Sequence, residues 1–214
     1  MRKVFAKYRN LPEAVKASLW FTICSILQKG ISFITVPIFT RMLSTEEYGI
    51  ISLFGAWQSI LTIFATLNLS NQIFNNGMVK YEKDQDGYTT AMLGLSNFAT
   101  VLVFVLYLVF HTALDKIFEL PMSAIIMMFI GFFFSAATSL WTVHQRYKFK
   151  YKLLCLVTLI ISLGSALLGV LFVRLESVGL ARIWGDTITI TTVGLLIYVL
   201  IVKKNHKLFN LTYW

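Results

Sequence analysis

The stretch Lys152-Leu-Leu-Cys-Leu-Val-Thr-Leu-Ile-Ile-Ser-Leu-Gly-Ser-Ala-Leu-Leu-Gly-Val-Leu-Phe-Val-Arg174 carries no charge between its two end residues. Its apolar interior, residues 153–173, has the ~20-residue length that spans a bilayer core as a helix. Comparable segments lie at about 17–39, 48–70, 90–110, 122–143 and 179–202. The reading is an all-α, polytopic membrane protein built as a bundle of six transmembrane helices. A composition of 57% hydrophobic and 14% charged residues fits that class and no water-soluble one.

The cations repeat the pattern. Of 19 Lys and Arg residues, 14 lie before the first span, after the last, or in alternate gaps: Arg2, Lys3, Lys7, Arg9, Lys16; Lys80, Lys83; Arg146, Lys148, Lys150, Lys152; Lys203, Lys204, Lys207. The opposite face receives Arg41, Lys116 and Arg174. Loops rich in Lys and Arg stay in the cytoplasm, so both termini are placed there. The chain divides into a basic cytoplasmic segment 1–16, a transmembrane lobe 17–202 and a basic cytoplasmic tail 203–214. A net charge of +9 would suggest nucleic acid in a polar chain, but here the cations flank apolar spans, so membrane lipids are the expected neighbours and nucleic acid is not.

Val4, Phe5, Tyr8, Leu11 and Val15 recur at helical spacing between basic residues. Two readings fit, a helix lying on an anionic membrane surface or a disordered basic tail. External connections are short, at 44–47, 111–121 and 175–177, and the longest connection, Asn71 to Thr89, reads as a solvated cytoplasmic loop. The segment Gln145 to Lys152 alternates basic and aromatic residues, as suits anionic headgroups, although stop-transfer charge explains it as well. Cys24 and Cys155 lie inside spans, and His111, His144 and His206 read as solitary interfacial residues. No metal-ligand spacing, phosphate loop or catalytic constellation is visible, so the expectation is a non-enzyme with no cofactor.

Polar stripes run inside four spans. Ser18, Thr22, Ser25, Lys29 and Ser32 share one face of the first; Ser52, Gly55, Ser59, Thr62 and Thr66 one face of the second. Gly131, Ser135, Thr138 and Thr142 in the fourth span, and Thr158, Ser162, Ser165 and Gly169 in the fifth, read as close-packing faces between helices. Lys29 lies about 12 residues into its span, too deep to snorkel, and a lysine there costs roughly 3 kcal/mol. It is expected to face a polar interior and an anionic ligand, with Gln28 on an adjacent face. Arg182 and Asp186, four apart on the last span, read as a structural ion pair that leaves Lys29 unmatched. Gln58 and Asn97 add amides suited to sugar hydroxyls.

Between the first two spans stands Pro37-Ile-Phe-Thr-Arg-Met-Leu-Ser-Thr-Glu-Glu-Tyr-Gly49. Pro37 can kink a helix, Arg41 can reach the headgroups and Gly49 loosens the next helix start. With its Pro37, the Thr40-Arg41 pair and the later Tyr48-Gly49, this stretch resembles the signature of the polysaccharide flippases, the O-antigen and capsule repeat-unit transporters of the superfamily that also holds multidrug extruders. The likeness is strongest over about Ser18 to Gly94. It implies a multi-pass protein of the bacterial cytoplasmic membrane whose substrate is a polyprenyl-diphosphate-linked oligosaccharide, with Lys29 toward the diphosphate and Gln28, Ser25, Ser32, Gln58 and Asn97 around it. Members usually have twelve or more spans in two lobes, so the resemblance implies an N-terminal lobe completed by a second lobe or a homodimer. A multidrug extruder of the same superfamily, or a non-transporting partner in polysaccharide assembly, are the alternatives.

Overall fold

The computed structural model describes residues 12–176, 178–204 and 207–214. The surface-helix reading of Val4 to Leu11, Ser177 and His206 therefore lie outside the described residues. Among the described residues seven α-helices follow one another: α1 (Glu13–Met42), α2 (Thr45–Ala65), α3 (Gln72–Lys80), α4 (Gln85–Phe118), α5 (Met122–Tyr147), α6 (Tyr151–Glu176) and α7 (Gly179–Lys204). A 3-10 turn, Glu82–Asp84, joins α3 to α4. All but α3 are long and apolar enough to cross a membrane, and among the described residues there is no strand. The protein is an all-α, multi-pass membrane bundle.

The centre of the bundle is α5, with 56% of its apolar window buried, and its edge is α1, with 6%. One buried cluster joins α2, α4 and α5 through Phe54, Tyr107, Phe118, Ile125 and Phe129. At the Lys- and Arg-rich end a second cluster gathers Phe74, Met78, Tyr88, Leu93, Trp141 and Ile201. At the other end Phe39, Leu43, Val173 and Ala181 tie α1 to α6 and α7.

Two stretches differ from the sequence expectation. The Asn71–Thr89 connection is not a solvated loop: it contains α3, whose Phe74 and Met78 are fully buried while Asn75, Asn76 and Lys80 stay exposed. The cause is amphipathic spacing in a helix of 9 residues, well short of the window that marks a span. The third span is also longer than 90–110, running from Gln85 to Phe118. His111, Asp115 and Lys116 end the apolar run but not the helix, which bends at Phe110 (φ −106°, ψ 16°) and continues. Across that bend the Tyr107 hydroxyl donates to Asp115 Oδ1 at 2.7 Å.

The tail packs back onto the bundle. Trp214 Nε1 donates to the Ala91 carbonyl at 2.9 Å, and the Tyr213 hydroxyl donates to Asp84 Oδ2 at 2.6 Å. Leu208 crosses α4 so closely that a Cβ on Gly94 would stand 2.0 Å from its carbonyl oxygen.

Candidate functional site

Helix α1 leans on the bundle chiefly through α6. Ala17, Cys24 and Phe39 are its buried positions. Cys24 Sγ donates to the Cys155 carbonyl at 3.4 Å, Gln28 Nε2 to the Thr158 carbonyl at 3.4 Å, and Trp20 stacks on Tyr151 with centroids 6.3 Å apart. Gln28 thus turns toward α6. Along an adjoining face Ser18, Thr22, Ser25, Lys29 and Ser32 are all exposed. Lys29 stands near mid-helix, between Glu13 and Met42, and among the described residues it has no hydrogen bond or ion pair.

This arrangement separates the stripes. The fifth span's stripe is packed: a Cβ on Gly169 would meet Arg182 Cδ at 2.8 Å, and one on Gly185 would meet the Gly169 backbone nitrogen at 2.6 Å. The small residues there let α6 and α7 approach backbone to backbone. On α1 and α2 the stripe is presented outward, with Ser52 and Ser59 exposed and open space beside Gly30, Gly49 and Gly55. Nothing within the lobe needs those glycines to be small.

The remaining candidates divide. Arg182 and Asp186 form the expected ion pair, so Asp186 is occupied without Lys29. Arg182 also donates to the Ser165 carbonyl at 3.3 Å and lies 4.6 Å from the Phe39 ring centroid, joining α1, α6 and α7 at one point. Gln58 is half-buried on α2. Asn97 is only 7% exposed, enclosed by the lobe, with neither side-chain amide atom hydrogen-bonded among the described residues, so it does not share the face that carries Lys29.

The Pro37–Gly49 stretch is the turn between α1 and α2. Helix α1 is continuous through Pro37, and Thr40 Oγ1 donates to the Pro37 carbonyl at 3.1 Å. Arg41 and Gly49 are exposed, whereas Tyr48 packs against the cluster of Phe39, Leu43 and Val173. Ser44 caps α2 by accepting from Glu47 N–H at 3.2 Å. A capping box would return the Glu47 carboxylate to Ser44, but Oε2 instead accepts from Gly179 N–H and so caps α7. The Ser-x-x-Glu spacing was the available signal for Glu47, although only the packing of α2 on α7 reveals its second task. Glu47→Ala is expected to cost about 1 kcal/mol and Glu47→Gln less, as a drop in the detergent melting temperature.

His144 corrects the reading of three solitary histidines. It is 4% exposed, its Nδ1 lies 3.4 Å from Thr89 Oγ1, and His111 faces Asp115 at 3.6 Å.

No curated protein and no solved structure matches the chain. A family model described as polysaccharide biosynthesis protein matches residues 14–212. The match takes in the outward polar face of α1 and α2, the Pro37–Gly49 turn and the packed α6–α7 pair. This multi-pass membrane protein belongs to the polysaccharide biosynthesis protein family.

Proposed function

We propose that the protein moves a polyprenyl-diphosphate-linked oligosaccharide across the bacterial cytoplasmic membrane, with Lys29 as the contact for the diphosphate. The observation that carries this reading is Lys29 itself, a cation at mid-helix with no partner among the described residues, on an outward face lined by Ser18, Thr22, Ser25 and Ser32. A lysine facing lipid there would cost roughly 3 kcal/mol, so the face belongs to a wet, enclosed cavity. Ser25 and Ser32, at steps of four and three from Lys29, flank the ammonium and suit sugar or phosphate oxygens.

Half of that cavity comes from a second lobe or a second copy of the chain. The open space beside Gly30, Gly49 and Gly55 supports a covering surface that approaches α1 and α2 closely. Two lobes rocking about such a face would give alternating access. Both termini are then cytoplasmic, in keeping with the distribution of cations.

Extrusion of cationic drugs is the weaker reading, because the one carboxylate placed deep in α7, Asp186, is neutralised by Arg182. Deleting the gene separates the readings. Loss of surface polysaccharide with accumulation of its lipid-linked precursor is expected, and unchanged export with raised drug sensitivity would overturn the proposal. Incubating the purified protein with labelled precursor should form no new glycosidic bond, which tests an assembly enzyme directly.

A further inference from the structure

At the Lys- and Arg-rich end of the bundle, away from α1, the ends of α4, α5, α6 and α7 enclose a cavity of about 370 Å³. Its polar lining includes Lys150, Lys203 and Lys204 against a single carboxylate, Asp86. Asp86 is already engaged, since Lys204 Nζ donates to its Oδ1 at 3.3 Å. Lys150 and Lys203 are therefore surplus positive charge on the rim.

The cavity also has an unsatisfied group at its wall. His144 is 4% exposed, and among the described residues its Nε2 has no hydrogen-bond partner, standing 3.9 Å from Asp86 Oδ1. A buried ring nitrogen without a partner is costly unless something occupies the space it faces. The turn that delivers Lys150 is itself fixed: Phe149 takes a left-handed conformation (φ 51°) and Lys150 N–H donates to the Gln145 carbonyl at 2.9 Å.

Besides Thr89 and Gln145, the rest of the lining is apolar, with Trp141 and Ile201 at the buried wall and Leu153 and Leu200 more than half exposed. Leu156, three residues after Leu153, and Leu196, four before Leu200, continue those exposed faces along the spans. A charged head and a long apolar track side by side match a lipid rather than a soluble ion.

We infer that this cavity binds the phosphate headgroup of an anionic phospholipid, with Lys150 and Lys203 on the phosphate, His144 beside it and an acyl chain along Leu153 and Leu200. The inference is independent of the reading of Lys29, because α1 contributes nothing to this cavity.

The test is thermal melting of the full-length protein in an uncharged detergent, with each variant compared with its own lipid-free melting temperature. Phosphatidylglycerol is expected to raise the melting temperature by several degrees, with phosphatidylcholine and inorganic phosphate giving far smaller shifts. Lys150→Gln with Lys203→Gln should weaken the phosphatidylglycerol effect by about 10-fold or more, while Lys80→Gln with Lys83→Gln, a charge-matched control outside the cavity, leaves it intact. An equal shift with phosphatidylcholine, or the same shift with inorganic phosphate alone, overturns the inference. So does an undiminished phosphatidylglycerol shift in the Lys150/Lys203 variant, or an equal loss in the control.

Discussion

Lys29→Ala should cut export of surface polysaccharide by about one to two orders of magnitude while the amount of protein in the membrane stays normal. The magnitude follows from losing one charge-assisted contact to a phosphate, about 1.5–3 kcal/mol, at roughly tenfold per 1.4 kcal/mol. Folding should not suffer, because Lys29 is exposed and engages no described residue. Removing a cation from mid-span even makes insertion easier. Lys29→Arg keeps the charge and should retain more export than Lys29→Ala. Wild-type export by Lys29→Ala would remove this residue from the mechanism, and the outward hydroxyl face of α1 would need another explanation. A fall in membrane abundance matching the fall in export would point to folding instead.

Gly185→Leu should have the opposite profile, removing folded protein along with its activity. A Cβ on Gly185 would stand 2.6 Å from the Gly169 nitrogen and 2.7 Å from its Cα, both backbone atoms that no rotamer change can move. Helices α6 and α7 would have to separate. That separation also disturbs Arg182, which spans from α7 to the Ser165 carbonyl on α6 and to the Phe39 ring on α1. A cost of at least about 2 kcal/mol is expected, visible as a lower detergent melting temperature and a smaller monodisperse peak in gel filtration. Gly55→Ala is the control: open space lies beside it, so stability should not fall and should rise by up to about 1 kcal/mol from the better helix propensity of Ala. Equal melting temperatures for Gly185→Leu and the wild type would refute the close approach of α6 and α7.

These two residues mark how far local reading reaches. The mid-helix position of Lys29 and the Arg182–Asp186 pair were legible because depth in a span and four-residue spacing are properties of a single helix. Gly185 carried no such signal. Its need to be small comes from Gly169 on another helix. The stripe of the fifth span packs against α7, as its small residues indicate, but which residue of α7 it meets is not written in either helix. Gln28 and Asn97 illustrate the same limit, since an amide in a span reads identically whether it turns to a neighbouring helix, the interior or a cavity.

Helix α3 and His144 were missed for a related reason. The apolar face of α3 is too short to register as a span, and Phe74 gains its value only against Tyr88, 5.3 Å away between ring centroids. His144 looked solitary because Thr89 and Asp86 lie more than 50 residues upstream.

Taken by itself, the order of residues determined the class of protein and roughly where its six long apolar helices lie. Each of these depends on transferring one segment between water and lipid, a sum over local side chains. Tertiary structure alone decided that Gly185 must be small, that the stripe of the first span stays exposed on the lobe, where Glu47 sends its carboxylate and which lysines share a cavity with His144. Inside a membrane those choices rest on backbone approach and on polar groups finding partners across helices, and both depend on residues distant in the chain.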